Sequence, residues 1–405
     1  MFLKYYIKPI ALLCLVSVIG CTATKKEADA VTVEVINELH FNRTEIVSVS
    51  IEELQKQFSS FNEDAIRVKK QGTDNFLTTQ WLDNDQDGSN DVLLFQATVK
   101  AEESVYYTIV MDSTVTTPKS DVVAYSRFVP ERTDDYTWEN DKVAFRTYGP
   151  DAQLRVEEGR ENGTLSSGID LWLKRTDKSV IDSWYKGYQT DPMYYHHDRG
   201  EGYDPYHVGA SRGDGGIGVW ENDTLYVSKN FISYKTIASG PLRTVFELSY
   251  APWSPYNIQE TKRISLDLGS NFSKFQISLK AEKEVPNYAI GITTHENVGE
   301  YKLQAKKGWI RNWEQIDDAH VGEGIVMNPK EIDSAFARVT KVKDQSNLLI
   351  VAKPTTTLEY YAGFAWEKSG QVKSVADWDA LLQRQKQIIE NPLIVNTRKK
   401  NVTTK

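Results

Sequence analysis

A short stretch in the middle of the chain gathers many of the residues that could move protons. It runs from Tyr194 to His207 and contains three of the six histidines of the chain, together with tyrosines, acidic residues and glycines. Histidine changes charge near neutral pH, and glycine lets the backbone approach a ligand closely. We therefore interpret this stretch as the floor of an acid–base site and the rest of the chain as its scaffold.

Within this stretch, His196 is the leading candidate for proton transfer, because an ordinary histidine pKa of about 6.5 allows it to act as base or acid. If the stretch is an extended strand, Asp198 lies on the same side as His196 and orients it. Tyr206 then lies on that side too, as a proton donor or, if ionised beside an arginine, as a proton acceptor. Asp198 and Asp204 are candidate substrate contacts. Metal binding is the lower-ranked alternative, because neighbours such as His196 and His197 point to opposite faces of a strand. A second alternative is that these side chains only fasten a glycine-rich loop.

A second set of candidates lies around Arg146. Counting by twos places Arg146 and Tyr148 on the strand face opposite Phe145, and we interpret that face as wet and concave. Arginine is well shaped to bind carboxylate or sulfate, so Arg146 is our candidate for a substrate carboxylate, with a solvated face as the alternative. The remaining candidates are Trp138, Glu139 and Arg212 as substrate contacts, and His295, at the end of a predicted strand, as a second acid–base group.

Composition and charge exclude some classes of function. The net charge is −8, and the 48 Lys and Arg are spread without a basic run, so nucleic acid is not an expected partner. The many aromatic rings suit sugar stacking or a β core equally well. Asp83, Asp85 and Asp87 copy the first half of a calcium loop, but its twelfth position is Leu94. We prefer a tight turn there, with structural Ca²⁺ as the alternative, and we expect no other cofactor.

The first residues have the order of a bacterial export signal. Two lysines precede an apolar run over 9–20, which is followed by Cys21. The run is too short to span a bilayer, which takes about 20 apolar residues. Val18 to Cys21 matches a lipobox, so we expect a signal peptide over 1–20, a lipid on Cys21 and a tether over 21–30. An ordinary cleaved signal is the alternative. The expected protein is an exported lipoprotein that contacts the membrane of the cell envelope only through its lipid.

The alternation of apolar and polar residues predicts a mainly β protein. We expect a small β-sandwich over 31–120, followed by a large antiparallel β-supersandwich over 121–391. A C-terminal helix with Ser374 as its N-cap ends before Pro392, and 392–405 is expected to be a polar tail.

Three segments carry a resemblance to a known family. They are 130–135, 138–150 and the pattern Tyr195-His196-x-Asp198-x-Gly200-x-Gly202-x-Asp204-x-Tyr206-x-Val208-Gly209. On these motifs, residues 30–391 resemble exported lipoproteins of polysaccharide-degrading bacteria, long described as a domain of unknown function, in which the characterised activity is the oligosaccharide dehydratase of ulvan breakdown. His197, Tyr203 and His207 fall at variable positions of the pattern. The resemblance implies a large domain of the galactose-mutarotase type.

The resemblance also implies a reaction. The enzyme would eliminate water across C4–C5 of a glucuronic or iduronic acid at the non-reducing end of an anionic, sulfated oligosaccharide. The product is the unsaturated uronate that a downstream unsaturated glucuronyl hydrolase removes. Such a site needs a cation for the carboxylate, a base for the C5 proton and an acid for the departing hydroxyl. A polysaccharide lyase or glycoside hydrolase that cleaves uronic-acid-containing glycans is one alternative, and a non-catalytic glycan-binding lipoprotein is another.

Overall fold

The structure is a computed structural model that describes residues 1–2 and 30–399. The signal peptide, the lipobox with Cys21 and nearly all of the tether therefore lie outside the described residues. Within the described part, the chain is mainly β and antiparallel, which confirms the predicted fold class. None of the helices described is long and apolar enough to cross a membrane.

The N-terminal part forms two small sheets packed face to face. In the first strand Val31, Val33 and Val35 are fully buried, with half-exposed residues between them, which is the period of a strand with one buried face. A short helix follows Ser50, and the Ser50 side chain makes no capping hydrogen bond. The elements are β1 (Ala30–Ile36), β2 (Arg43–Ser50), α1 (Ile51–Gln57), β3 (Ile66–Lys70), β4 (Thr79–Leu82), β5 (Val92–Val99) and β6 (Ser104–Met111).

A five-stranded sheet follows, and it is covered on both faces. Phe145 and Trp138 pack into the main core on one side. Trp172 and Ala144 pack on the other side against a helix and the turn at Tyr195. A sheet with two covered faces buries its residues whatever their parity. The elements are β7 (Tyr125–Val129), β8 (Asp135–Glu139), β9 (Ala144–Thr147), α2 (Pro150–Glu157), β10 (Asp170–Lys174), α3 (Ile181–Tyr188) and β11 (Gly202–Tyr203).

The largest part is a sandwich of a five-stranded and an eight-stranded sheet around one core. The final helix packs on the outer face of the larger sheet through Trp378 and Leu382. Its predicted N-cap is confirmed, because the Ser374 side chain accepts a hydrogen bond from the Asp377 amide. The elements are β12 (Asp214–Glu221), β13 (Thr224–Tyr226), β14 (Phe231–Ser239), β15 (Arg243–Trp253), β16 (Ile258–Asp267), β17 (Phe272–Lys280), β18 (Tyr288–Thr293), β19 (Lys302–Gln304), β20 (Trp309–Ile316), β21 (Ala319–Val326), β22 (Ile332–Arg338), β23 (Asn347–Ala352), β24 (Thr357–Trp366) and α4 (Val375–Glu390).

The end of the chain differs from the expected polar tail. Residues Ile394–Lys399 form a strand, β25, that pairs antiparallel with β1 at the edge of the small N-terminal sheet. Val395 packs against the core of that sandwich, which gives the segment a reason to be ordered. The apolar stretch is too short to stand out in the sequence, and its partner strand lies at the other end of the chain.

Candidate active site

A cavity of about 520 Å³ lies where loops leave the large sandwich. Its lining comes from segments that are far apart in the sequence. His295 follows the end of β18, Glu314 lies on β20, and His207 belongs to the loop before β12. The turn between β22 and β23 supplies a rim that includes Lys341, Lys343 and Asp344.

His295 is held by both of its ring nitrogens. Nδ1 donates to the Glu314 carboxylate at 2.7 Å, and Nε2 donates to the backbone carbonyl of His207 at 2.6 Å. Burial alone would lower the pKa of His295, but the hydrogen bond and charge of Glu314 outweigh it and raise the pKa above its ordinary value. Two acceptors around one ring favour the doubly protonated imidazolium. The Tyr206 ring packs edge-on against His295, with ring centroids 4.8 Å apart, and fixes its plane.

Buried acidic groups stand behind His295 on the core-facing side of the eight-stranded sheet. Asn312 and Glu314 alternate with Trp313, which packs under α4, and Glu323 lies opposite Asn312 in the neighbouring strand. Burial, and then the nearby Glu314 carboxylate, raise the pKa of Glu323 well above its usual range. Burial therefore favours the neutral, protonated form of Glu323, and the Glu314 carboxyl is the acceptor that faces His295.

These groups are also close enough together to hold a metal. Single ligand atoms of His295, Glu314 and Glu323 lie within 4.8 Å of one another. A cation at this point would have to displace the His295–Glu314 hydrogen bond, because both ring nitrogens already have protein partners. We therefore keep acid–base chemistry as the preferred interpretation, and the absence of a metal stays a prediction.

His207 lines the same cavity and is bonded in a different way. Its Nε2 lies 3.2 Å from an Asp344 carboxylate oxygen. Among the described residues, Nδ1 has no hydrogen-bond partner, and the side chain is 56% exposed. Donation from Nε2 leaves a lone pair on Nδ1 that can accept a proton. The rings of His207 and His295 are 6.5 Å apart, so one cavity contains a candidate base and a candidate acid.

His196 and its neighbours do not form the extended strand that we expect. Tyr194–His196 is a single 3-10 turn, so the parity that places Asp198 beside His196 is wrong. The Asp198 carboxylate instead accepts the amides of Gly200 and Gly202 and pairs with Arg175, which closes the loop. His196 donates from Nδ1 to the Asp204 carbonyl at 2.8 Å, and burial lowers its pKa. His196 is thus a neutral, half-buried imidazole that does not line the cavity.

Tyr206 is brought close to His295 and not to His196. Its hydroxyl is buried, and among the described residues it has no hydrogen-bond partner. Burial raises the pKa of Tyr206 well above its ordinary value, and the nearby Glu323 and Glu314 raise it further. The hydroxyl therefore stays protonated, and Tyr206 acts on the cavity through the ring that it packs against His295.

Arg146 lies on no wet face, which corrects our expectation. Its side chain is 6% exposed, because both faces of its sheet are covered. The guanidinium donates to the Asp170 carboxylate at 2.8 Å and to the Asp204 carboxylate at 2.9 Å. Asp135 lies 3.9 Å away. These buried carboxylates neutralise the charge of Arg146. Arg146 and Asp204 therefore belong to a structural ion cluster, and neither side chain has free surface for a substrate.

Three further expected substrate contacts are also buried and committed elsewhere. Trp138 is fully buried in the core and donates from its indole nitrogen to Ser273. Glu139 pairs with Lys174 and accepts the amides at the start of α3. Arg212 is 2% exposed and bonds Ser167 and a backbone carbonyl, and burial lowers its pKa to about 10. We correct these assignments, because no surface of these side chains remains for a ligand.

The acidic turn at the expected calcium loop is built mainly by backbone amides. Asp83 accepts the amides of Gln86 and Gly88, and Asp85 accepts the amide of Asp87. The acidic residues that the turn brings together are Asp83, Asp85 and Asp91, so Asp87 is not part of the set. These bonds are those of the tight turn that we prefer, and Ca²⁺ binding stays an untested alternative.

The cavity gives a pH dependence of stability that can be measured. The raised pKa of His295 means that the folded state binds this proton more tightly than the unfolded chain, whose histidine pKa is about 6.5. The stabilisation of the folded state by protonated His295 is complete below about pH 6.5, the unfolded-state pKa. It is lost as pH rises through the higher folded-state pKa of His295. We expect thermal melts between about pH 6 and about pH 9 to show a larger loss of Tm for the parent than for His295→Gln. Parallel curves would mean that His295 is not held as a cation.

Comparisons with known proteins agree with this fold. The chain is 42% identical over 380 residues to "Uncharacterized protein P7" of Formosa agariphila, and the alignment covers 93% of this chain and 95% of that protein. Among solved structures, a protein in glycosyl hydrolase family 38 from Enterococcus faecalis matches with a TM-score of 0.50 and 8% identity over 91% of this chain. An α-mannosidase from Enterococcus faecalis V583 matches at a TM-score of 0.47 and 9% identity. The chain spans only 47% and 46% of the length of these two structures, and the first likeness shows the fold alone.

The family is shown by a match that spans most of the described chain. Residues 35–395 match the family described as "Domain of unknown function (DUF4861)". The relative from Formosa agariphila, aligned nearly end to end, agrees with this assignment. The chain therefore belongs to the DUF4861 family.

Proposed function

We propose that the protein is a carbohydrate-active enzyme, and specifically a carbon–oxygen lyase that dehydrates the non-reducing-end uronic acid of anionic oligosaccharides. The observation that carries the proposal is the pair His207 and His295, 6.5 Å apart on one cavity and bonded so that one can accept a proton and the other can donate one. The resemblance to ulvan oligosaccharide dehydratases supports it. The fold relative in glycosyl hydrolase family 38 is in keeping with a carbohydrate substrate.

In the proposed reaction, Nδ1 of His207 takes the C5 proton. The electron pair of that C–H bond becomes the C4–C5 double bond, and the C4–O bond breaks. The departing hydroxyl takes a proton from Nε2 of His295, which gives up its hydrogen bond to the His207 carbonyl as the substrate oxygen takes that place. One water leaves, His207 ends protonated and His295 ends neutral, and solvent restores both. Each transfer needs heavy atoms about 2.6–3.2 Å apart, a spacing that a C4–C5 unit between the two rings can meet.

The rim of the cavity fits the anionic part of such a substrate. Lys341 and Lys343 are exposed, and neither makes a salt bridge with another described residue. Removal of the C5 proton pushes negative charge onto the uronate carboxylate, and a nearby ammonium group stabilises that charge. Lys341 and Lys343 therefore take the role of binding the substrate carboxylate, which we expected for Arg146.

The acid groups of the cavity suit a hydrolase less well. A glycosidase of the usual kind needs two carboxyl groups on either side of the scissile bond. Here Glu314 is bound to His295, and Glu323 is buried with a raised pKa that favours its neutral form. A chain-cleaving lyase would use the same acid and base, so it remains the competing reaction. We also propose that a lipid on Cys21 anchors the enzyme to the cell envelope, where it meets exported glycans.

The test is an oligosaccharide that ends in saturated glucuronate or iduronate. We expect incubation with the protein to produce the ultraviolet absorbance of an unsaturated uronate, and we expect EDTA to leave the rate unchanged. Ala substitution of both Lys341 and Lys343 should raise KM, whereas the same change at Lys306 and Lys307, exposed away from the cavity, should not. No absorbance change after long incubation would contradict the proposal, and loss of activity in EDTA would point to the His295–Glu314–Glu323 cluster as a metal site.

A further inference from the structure

A second, larger cavity lies on the opposite face of the eight-stranded sheet. This outer groove measures about 670 Å³ and is bounded by the small sandwich, the sheet and α4. Lys274 and Gln276 of β17 line it, while Phe275 and Ile277 between them lie in the main core. Glu314 lies on the core-facing side, so the thickness of the sheet separates the outer groove from the candidate active site.

Positive charge dominates the lining of the outer groove, although the whole chain has a net charge of −8. Three carboxylates line it, and each one is already neutralised by a cation of the same lining. The pairs are Arg43 with Glu45, Arg243 with Asp267 and Lys274 with Glu359. A fourth cation, Arg263, is paired with Glu247, which does not line the groove.

Two further cations of the lining have no salt bridge with any described residue. Lys142 belongs to the turn between β8 and β9; burial lowers its pKa, and the charge of the adjacent Asp141 offsets that shift only in part. Arg384 is exposed on α4, and its guanidinium stacks over the Phe41 ring at 5.5 Å. Two walls of the groove therefore each present a cation without a partner.

The remaining polar groups of the outer groove are those that bind sugars. Gln385 and Ser265 offer an amide and a hydroxyl to sugar hydroxyl groups, and Gln276 offers its amide oxygen, because its amide nitrogen donates to Glu359. Tyr361 adds an aromatic ring, with the Lys274 ammonium 5.9 Å from its centre. A stack of nucleic-acid bases would need several open aromatic faces along the groove, whereas a sulfated or carboxylated sugar needs cations among neutral hydrogen-bonding groups.

We propose that the outer groove is a second glycan-binding site that holds an anionic oligosaccharide through its sulfate groups. The site does not depend on the dehydratase reaction, because it lies on the other face of the sheet. Its unpaired cations Lys142 and Arg384 bind the anions, and the amides beside them bind the sugar hydroxyls.

The probe is a dextran sulfate oligosaccharide, which contains no uronic acid and cannot be a dehydratase substrate. Titration calorimetry should detect its binding to the parent, and Arg384→Glu should weaken binding about tenfold or more, which is about 1.4 kcal/mol. Lys142→Gln, which keeps the size of a polar side chain, should weaken it in the same direction. Lys306→Glu is the matched control, because it reverses one positive charge, as Arg384→Glu does, at an exposed residue far from the groove. It should leave the Kd for dextran sulfate unchanged.

Two further arms locate the binding. A neutral dextran oligosaccharide of equal length should bind at least tenfold more weakly, since it lacks the sulfates. The double change of Lys341 and Lys343 to Ala should leave dextran sulfate binding intact, because those lysines belong to the other cavity. Binding that survives Arg384→Glu and Lys142→Gln but is lost with the rim lysines would overturn the proposal, as would equal binding of neutral dextran.

Discussion

Replacing His295 with alanine is expected to lower turnover by roughly a hundredfold or more, because it removes the proposed proton donor. The change also leaves the Glu314 carboxylate without its partner and removes the ring against which Tyr206 packs. His295→Gln keeps a hydrogen-bonding side chain of similar length but cannot carry the proton, so it should lose turnover to a similar degree with a smaller loss of Tm. Initial rates and melting curves of both variants measure the two effects separately.

The chain offers a matched control for this experiment. His320 also bonds a glutamate from Nδ1, at 2.9 Å from Glu367, and stacks on the Trp313 ring, but it lies outside the cavity. His320→Ala removes a histidine–glutamate pair of the same kind and should keep near-parental turnover. Equal losses in His295→Ala and His320→Ala would show that the effect is structural.

His196 provides the contrast on which the location of the site depends. It is a neutral imidazole joined to the Asp204 carbonyl, whereas His295 is joined to the His207 carbonyl. We expect His196→Ala to retain most of the turnover, because His196 does not line the cavity. A hundredfold loss of turnover in His196→Ala, with His295→Ala folded and active, would mean that the active site lies at His196, as the sequence motif suggests.

Replacing Arg146 with alanine is expected to reduce the free energy of unfolding by about 3–5 kcal/mol, since it strips the cation from a buried ion cluster. Asp170 and Asp204 both bond the guanidinium and are fully buried, so each would have to take up a proton or unfold locally. Burial and the neighbouring Asp170 charge already raise the pKa of Asp204 well above its usual value. Urea unfolding of the variant measures the loss.

Arg127→Ala is the control for this loss of stability. Arg127 also joins two carboxylates, Glu131 and Asp182, but its side chain is 24% exposed and water can replace it. We expect a change of about 1 kcal/mol or less for such a surface pair. If Arg146→Ala keeps parental stability and loses turnover, Arg146 contacts the substrate after all and the cluster description is wrong.

Local patterns in the sequence predict several of the elements but not their surroundings. The Ser374 cap and the apolar side of α4 are set by residues within a few positions of each other, so the helix is found where it is expected. Alternation likewise predicts the antiparallel β character of the large sandwich. The burial of Arg146 could not be predicted in this way. Parity tells which side of a strand a residue lies on, but not whether another layer covers that side.

Local sequence patterns cannot predict the cavity, because the residues that line it are far apart in the sequence and meet only in the folded chain. His207 and Asp344 are 137 positions apart, and their contact cannot be read from spacing. The sequence motif contains His207, but its position in a variable slot of the family pattern gave it no role. Glu314 carries one usable signal, which is an acidic residue on the side of its strand that buries Ile310 in the core. The exposed Lys341 and Lys343 look like any solvated loop.

The central claim is that one water is removed and no glycosidic bond is cut, and intact-mass analysis of the product tests it most directly. Ultraviolet absorbance alone cannot do so, because a chain-cleaving lyase also makes an unsaturated uronate. With a purified tetrasaccharide that ends in saturated uronate, the account predicts a single product lighter by one water and still four sugars long, formed by the parent and not by His295→Ala. Two shorter products, or an unchanged tetrasaccharide after complete incubation, would contradict it.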